Sequence, residues 1–191
     1  MYLYGKAALY LCGQQLNNAM KNVLILFCAM IGLAASAQSV TIDESKASIS
    51  FLFLDDEVEG TLSEFEFTGA VRLDDLPGSD FSGSVATASI DTNNWLRSRH
   101  LRAKKYFSAK KHPRISFVSK QVVGEVNAFT VVGDLTIKGI TNEVSFSFVR
   151  QQGTQWKGTG VLNTQDFDIS IHKERERNNV EMTLLLPYLS E

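Results

Sequence analysis

An all-β fold of antiparallel strands, a barrel or a sandwich, is what this chain of 191 residues predicts. Three observations carry the expectation. Apolar residues recur at every second position in run after run, turn formers separate the runs at spacings of about 8 to 12 residues, and no β-α-β alternation occurs.

The runs come in order. Ile49, Phe51 and Phe53 form the first; Phe65 and Phe67, continuing to Val71 and Leu73, the second; Ile115 and Phe117 the third. Phe129 and Val131 lead to Leu135 and Ile137, and Val144, Phe146 and Phe148 follow. Ile169 with Ile171, then Val180, Met182, Leu184 and Leu186, complete the set. Each run turns one face to a core. Pro77-Gly78, Gly124, Lys138-Gly139 and Gln151-Gln152-Gly153 are the expected turns. Gly69 and Gly133 interrupt two runs, where a bulge, a tight bend or the close approach of another backbone is expected.

One segment departs from the rhythm. From Asn93 to Ala109 the alternation fails, Asn93 or Asn94 can cap a helix, and Leu96, Ala103 and Phe107 recur at helical spacing. A short helix or helical turn is expected there, closing one end of the sheet and stopping before His112-Pro113, since proline disfavours helical geometry in the residue before it.

Composition bounds the class. With 19 bases against 21 acids there is no charge signature of a nucleic-acid binder, and 44% hydrophobic residues with 3 prolines exclude a disordered chain. Both cysteines, Cys12 and Cys28, fall in the first thirty residues. Lys21, the apolar run Val23 to Leu33 and Ala34-Ala35-Ser36-Ala37 have the pattern of a secretory signal peptide cleaved after Ala37. Residues 1–37 are therefore expected to be a leader whose true start is Met20, and residues 38–191 a single domain, periplasmic or secreted. As a helix the 11-residue run (23 to 33) spans only about 16 Å, too short for a permanent membrane anchor. A domain without cysteine has no disulfide framework, thiol nucleophile or thiolate metal site.

Charge is uneven along the domain. Residues 40–91 hold 12 acids and two bases, Lys46 and Arg72, whereas residues 92–124 hold nine bases and no acid. Two readings stand: solvated or mutually paired faces, or a basic rim around a site for an anionic head group.

Catalytic patterns are few. There is no G-x-S-x-G elbow, phosphate-cradling glycine loop or H-E-x-x-H, and His100, His112 and His172 have no partner histidine at ligand spacing. His172 opens an alternating-charge stretch through Arg177 expected at a solvated hairpin tip. Asp166 and Asp168 share a strand face if a strand runs there, but beside a turn such a pair bonds the local backbone. No enzyme activity, cofactor or metal is expected.

Three segments carry a resemblance. Ser89-Ile90-Asp91-Thr92-Asn93 followed by Arg97, His100-Leu101 and Tyr106-Phe107 is the first; Lys111-His112-Pro113-Arg114-Ile115-Ser116-Phe117-Val118-Ser119 is the second. The third and most specific is Gly133-Asp134-Leu135-Thr136-Ile137-Lys138-Gly139-Ile140-Thr141-Asn142-Glu143-Val144. In order and spacing they resemble the YceI-like family of secreted lipid-binding proteins, whose corresponding patterns read SIDT-N…RD-HL-S-DFF, KYP-ITFVS and GDLTI-GVTK-V. The resemblance implies a lipocalin-like, eight-stranded antiparallel β-barrel with a short helical segment closing one end. It also implies an apolar interior that holds a long isoprenoid or fatty-acyl chain. Ser98 stands where the family pattern has Asp, and Lys104 and Lys105 replace its acidic end, a shift that favours an anionic head group. Asp55, Asp56, Glu57 and Glu59 mark a short first hairpin, so the cavity is expected to be smaller than the family norm or filled by side chains.

The expectation is a carrier or binder of an amphiphilic lipid. Phe51, Phe65, Phe67, Phe107, Phe117, Leu135, Phe146 and Phe148 are its candidate wall, with Arg97, His100 and Arg102 near the mouth. The alternative is a ligand-free barrel, packed shut, that docks on an envelope component.

Overall fold

The structure, a computed structural model, describes residues 39–190. The expected leader and the start at Met20 lie outside the described residues. Eleven strands form one antiparallel sheet: β1 (Ser39–Ile42), β2 (Ser48–Phe53), β3 (Val58–Leu62), β4 (Glu66–Phe67), β5 (Val71–Arg72), β6 (Gly83–Ala86), β7 (Arg114–Glu125), β8 (Ala128–Ile137), β9 (Ile140–Arg150), β10 (Gln155–Asn163) and β11 (Asn179–Ser190). The ladder runs β3-β2-β11-β10-β9-β8-β7-β6-β4, while β1 lies on β11 and also pairs β5.

β3 and β4 are two halves of one bent strand. The bend falls at Ser63–Phe65, where Glu64 takes a left-handed φ of 53°. Its first half pairs β2 and its second half pairs β6. Counted that way, the ring has eight positions: β2, the β3–β4 strand, and β6 through β11. This is the antiparallel barrel expected from the sequence. Next to the bend the seam is held by few bonds: Thr61 and Asp91 exchange two backbone hydrogen bonds of 2.8 and 3.1 Å, and Ala86 N–H donates to Ser63 O at 3.2 Å.

The alternation seen in the sequence sets the faces. In β8, Phe129, Val131, Gly133, Leu135 and Ile137 are buried and the residues between them are not. Lys138 (φ 55°) and Gly139 (φ 80°) make the two-residue turn to β9 with both residues left-handed, the geometry that matches strand twist. In β7 the register shifts between Ser119 and Gln121. There Ser119 Oγ accepts from Phe81 N–H at 3.0 Å and donates to Asp80 at 2.9 Å, so the irregularity anchors the loop that delivers Phe81 into the core.

One helix, α1 (Trp95–Leu101), crosses an end of the barrel, capped by Asn94, whose side chain accepts from Arg97 N–H at 3.0 Å. The expected apolar spacing does not describe its buried face. Leu96 is exposed and Ala103 lies beyond the helix, while Ser98 and Leu101 point inward. Turns continue to His112, with Phe107 N–H donating to Leu101 O at 3.0 Å.

One further expectation changes. Ile169 and Ile171 are not in a strand; they follow a 3-10 turn, Thr164–Phe167, that ends at a left-handed Asp168 (φ 54°). The stretch after His172 lies, as expected, in a solvated connection between two paired strands, β10 and β11, with Lys173, Glu174, Arg175 and Glu176 exposed. It is an ordered knot, because the wholly buried Asn178 accepts from Ile171 and His172 N–H and donates to His172 O and Glu174 O.

Candidate functional site: an apolar slot in the barrel

Aromatic side chains dominate the barrel interior, yet they leave a gap. It has two compartments, of about 100 and 70 Å³. Leu62, Ile115, Leu135, Phe146 and Met182 border both, so the compartments adjoin across a shared wall; together they are called the slot. The first sits beside the β3–β4 bend, where Leu62, Phe65 and Phe67 are only half-buried. The second ends against Ile90 and Phe107, under the segment that follows α1.

Cross-strand glycines keep the slot open. Phe51 faces Gly60 and Phe148 faces Gly158 in register, and in each pair the ring occupies the place where a Cβ on the glycine would stand. A Cβ on Gly160 would likewise come within 2.7 Å of the Phe146 ring. These rings therefore lie along the wall and do not fill the axis.

The wall offers a ligand little polarity. The Ser84 hydroxyl accepts from the Arg114 guanidinium at 2.8 Å, that of Thr164 donates to Ile169 O at 2.8 Å, and that of Ser82 bonds Asp80. Apolar cavities of about 150 Å³ stay dry and accept apolar guests. Any head group must remain outside the slot.

The residues proposed from the sequence separate into groups. Phe51 and Phe107 line the second compartment, Phe65, Phe67, Phe117 and Phe148 the first, and Leu135 and Phe146 both. Arg97, His100 and Arg102 do not converge on one mouth. Arg97 and His100 border a groove of about 290 Å³ that also touches Asp56 and Ile171, and Arg102 borders a separate one of about 700 Å³. Arg97 is held by Thr92, donating to its hydroxyl at 3.0 Å and its carbonyl at 2.8 Å; Arg102 donates to Ser98 O and Ala88 O at 3.1 and 3.0 Å. A short helix puts residues five apart on different sides, which separates these arginines.

Sequence reading missed Phe81 and Leu62, both on the wall. Phe81 lies between strands, so period-two counting does not register it; Leu62 stands alone in an acid-rich hairpin. Met182 and Leu184 were legible as the alternation of β11, but their strand neighbours determine that they face the slot.

Away from the slot, several charged groups pair with one another. Arg177 bonds Asp55 at 2.6 and 2.7 Å, and this hydrogen bond holds the Asp55 carboxyl below its ordinary range. Asp56 meets His172 at 2.7 Å. Asp55, Asp56 and His172 come within 4.8 Å of one another, but Arg177 already supplies the balancing cation, and the group fastens the β2–β3 turn to the 172–178 knot. Asp166 pairs with Arg175 at 2.7 Å and Asp168 with Lys138 at 2.8 Å, so the two carboxylates serve different cations.

Fold and interior define a small antiparallel barrel with an apolar slot. Residues 40–186 match the YceI-like domain, and the chain belongs to that family. A UPF0312 protein of Staphylococcus epidermidis is 32% identical over 134 residues, 65% of this chain and 76% of that protein. A UPF0312 protein of Staphylococcus aureus is 30% identical over 153 residues, 73% of this chain and 87% of that protein. Among solved structures, BcnA of Burkholderia cenocepacia superposes with a TM-score of 0.66 at 21% identity, over 76% of this chain and 98% of BcnA. A polyisoprenoid binding domain from Saccharophagus degradans gives 0.58 at 13% identity, over 82% of this chain and all of that domain.

Proposed function

We propose that this protein binds and carries an amphiphilic lipid, an isoprenoid or fatty-acyl derivative, and catalyses no reaction on it. The observation that carries the proposal is the pair of adjoining apolar compartments beside rings that lie over glycines. The family membership supports it, as does the shared fold of a domain described as polyisoprenoid binding. About six methylenes, what compartments of about 100 and 70 Å³ together accommodate, contribute roughly 5 kcal/mol, the scale of sub-millimolar affinity before the costs of ordering. The slot is narrow, which favours a slender tail over a fused-ring ligand.

That narrowness also favours a second reading, a packed barrel that serves as an interaction module. Phe117→Ala separates the two. Phe117 is half-buried on the slot wall, its ring edge-on to Phe146 at 5.5 Å. In a lipid carrier the truncation widens a space meant to be occupied, so delipidated protein should lose less than about 2 kcal/mol and shift its preference to bulkier tails. In a packed core the loss should be about 3–5 kcal/mol with no lipid bound by either protein. Denaturant unfolding and lipid titration read both outcomes.

The proposal includes a periplasmic or secreted location. N-terminal sequencing of the cellular form should then recover Gln38; recovery of Met1 or Met20 on the major form contradicts that part.

A further inference from the structure

The nine-base run of residues 92–124 is not neutralised by the acidic run that precedes it. Among the described residues, ion pairs reach only its last two members, Arg114 to Glu66 at 3.1 Å and Lys120 to Asp134 and Glu143 at 2.6 and 3.3 Å. Arg99, Arg102, Lys104, Lys110 and Lys111 border one groove of about 700 Å³ that no carboxylate lines. Beside it stands Trp95, 70% exposed at the start of α1, with the Arg99 guanidinium 5.5 Å from its ring centre.

We propose that this face docks the protein on a phospholipid bilayer containing anionic lipids. The chemistry has two parts that a bilayer surface matches together. Clustered lysines and arginines are attracted to an anionic surface, and an exposed tryptophan partitions to the headgroup level, where its amphipathic ring finds both an apolar and a hydrated side. A soluble polyanion would use the cations and leave the tryptophan without a role. The same segment carries both faces: Phe107 lines the second compartment of the slot, while Lys104, Lys110 and Lys111 border the groove. Docking would therefore set the Phe107 end of the slot against the lipid source. Bilayer binding itself does not depend on the slot being occupied.

Co-sedimentation of the mature chain with phosphatidylcholine vesicles, with and without phosphatidylglycerol, tests this. Binding should require phosphatidylglycerol and weaken between about 0.1 and 1 M salt, as the screening length falls from about 10 to 3 Å. The exposed triple variant Lys104→Gln/Lys110→Gln/Lys111→Gln should lose at least about tenfold in vesicle affinity, with the three lysine-to-arginine changes retaining it. Trp95→Ala should also weaken vesicle binding. Absence of binding to phosphatidylglycerol vesicles, or full binding by the triple variant, overturns the proposal. Full vesicle binding by Trp95→Ala, together with displacement of the wild type from vesicles by soluble polyphosphate at equal charge concentration, overturns it in favour of a soluble polyanion. Met182→Trp, aimed at the slot, should leave vesicle binding intact, so failure of docking and failure of lipid carriage are read separately.

Discussion

Trp156→Ala is expected to lower the unfolding free energy by about 3–5 kcal/mol. Trp156 is wholly buried on β10, stacked on Tyr188 with ring centres 4.1 Å apart and edge-on to Phe129 at 5.5 Å. Its indole N–H donates to Val126 O at 2.9 Å across the barrel end. The truncation opens a void among rings that cannot collapse into it and leaves the Val126 carbonyl short of a donor. Trp156 also packs edge-on at 6.1 Å against Phe81 of the slot wall, so a folded variant should shift its ligand preference toward bulkier tails. Denaturant unfolding followed by circular dichroism measures the loss; a value below about 1 kcal/mol contradicts the packing account.

Met182→Trp is expected to abolish tail binding while the barrel stays folded. Met182 borders both compartments, and its register neighbours on β10 and β2 are Gly160 and Phe51. A larger ring there divides the slot. Overpacking of this kind costs about 1–3 kcal/mol of stability. Losing access for even two methylenes removes about 1.6 kcal/mol of binding, already more than tenfold in affinity. Titration with a fluorescent fatty-acyl probe should show at least that loss. Unchanged affinity would place the ligand outside the slot.

The barrel was legible because a half-buried strand writes its burial as alternation, and β2 and β8 do so without interruption. Of the turns, Gly124 lies inside β7, paired with Phe129, and the turn itself follows at Val126-Asn127. Lys138-Gly139 has two left-handed residues, a demand that few dipeptides meet. The slot itself was only half legible. Alternation marks Phe51 and Phe148 as inward, but whether an inward ring fills the axis or lies along the wall depends on the residue opposite. Gly60 and Gly158 acquire that meaning only from strand register. Phe81 reaches the core from a loop. The 169–178 segment misled because two isoleucines at alternate positions also fit a loop knotted around one buried asparagine. The arginines of the helical segment were grouped by closeness in sequence, which a seven-residue helix does not preserve in space.

The lipid-carrier account is tested most directly by organic extraction of the protein purified from its native host, followed by mass spectrometry with the Met182→Trp variant processed alongside. The account predicts an amphiphile with a slender apolar tail in near-stoichiometric amount from the wild type and its loss from the variant. A wild-type extract free of lipid, from protein that also fails to bind acyl and isoprenoid probes, would contradict it.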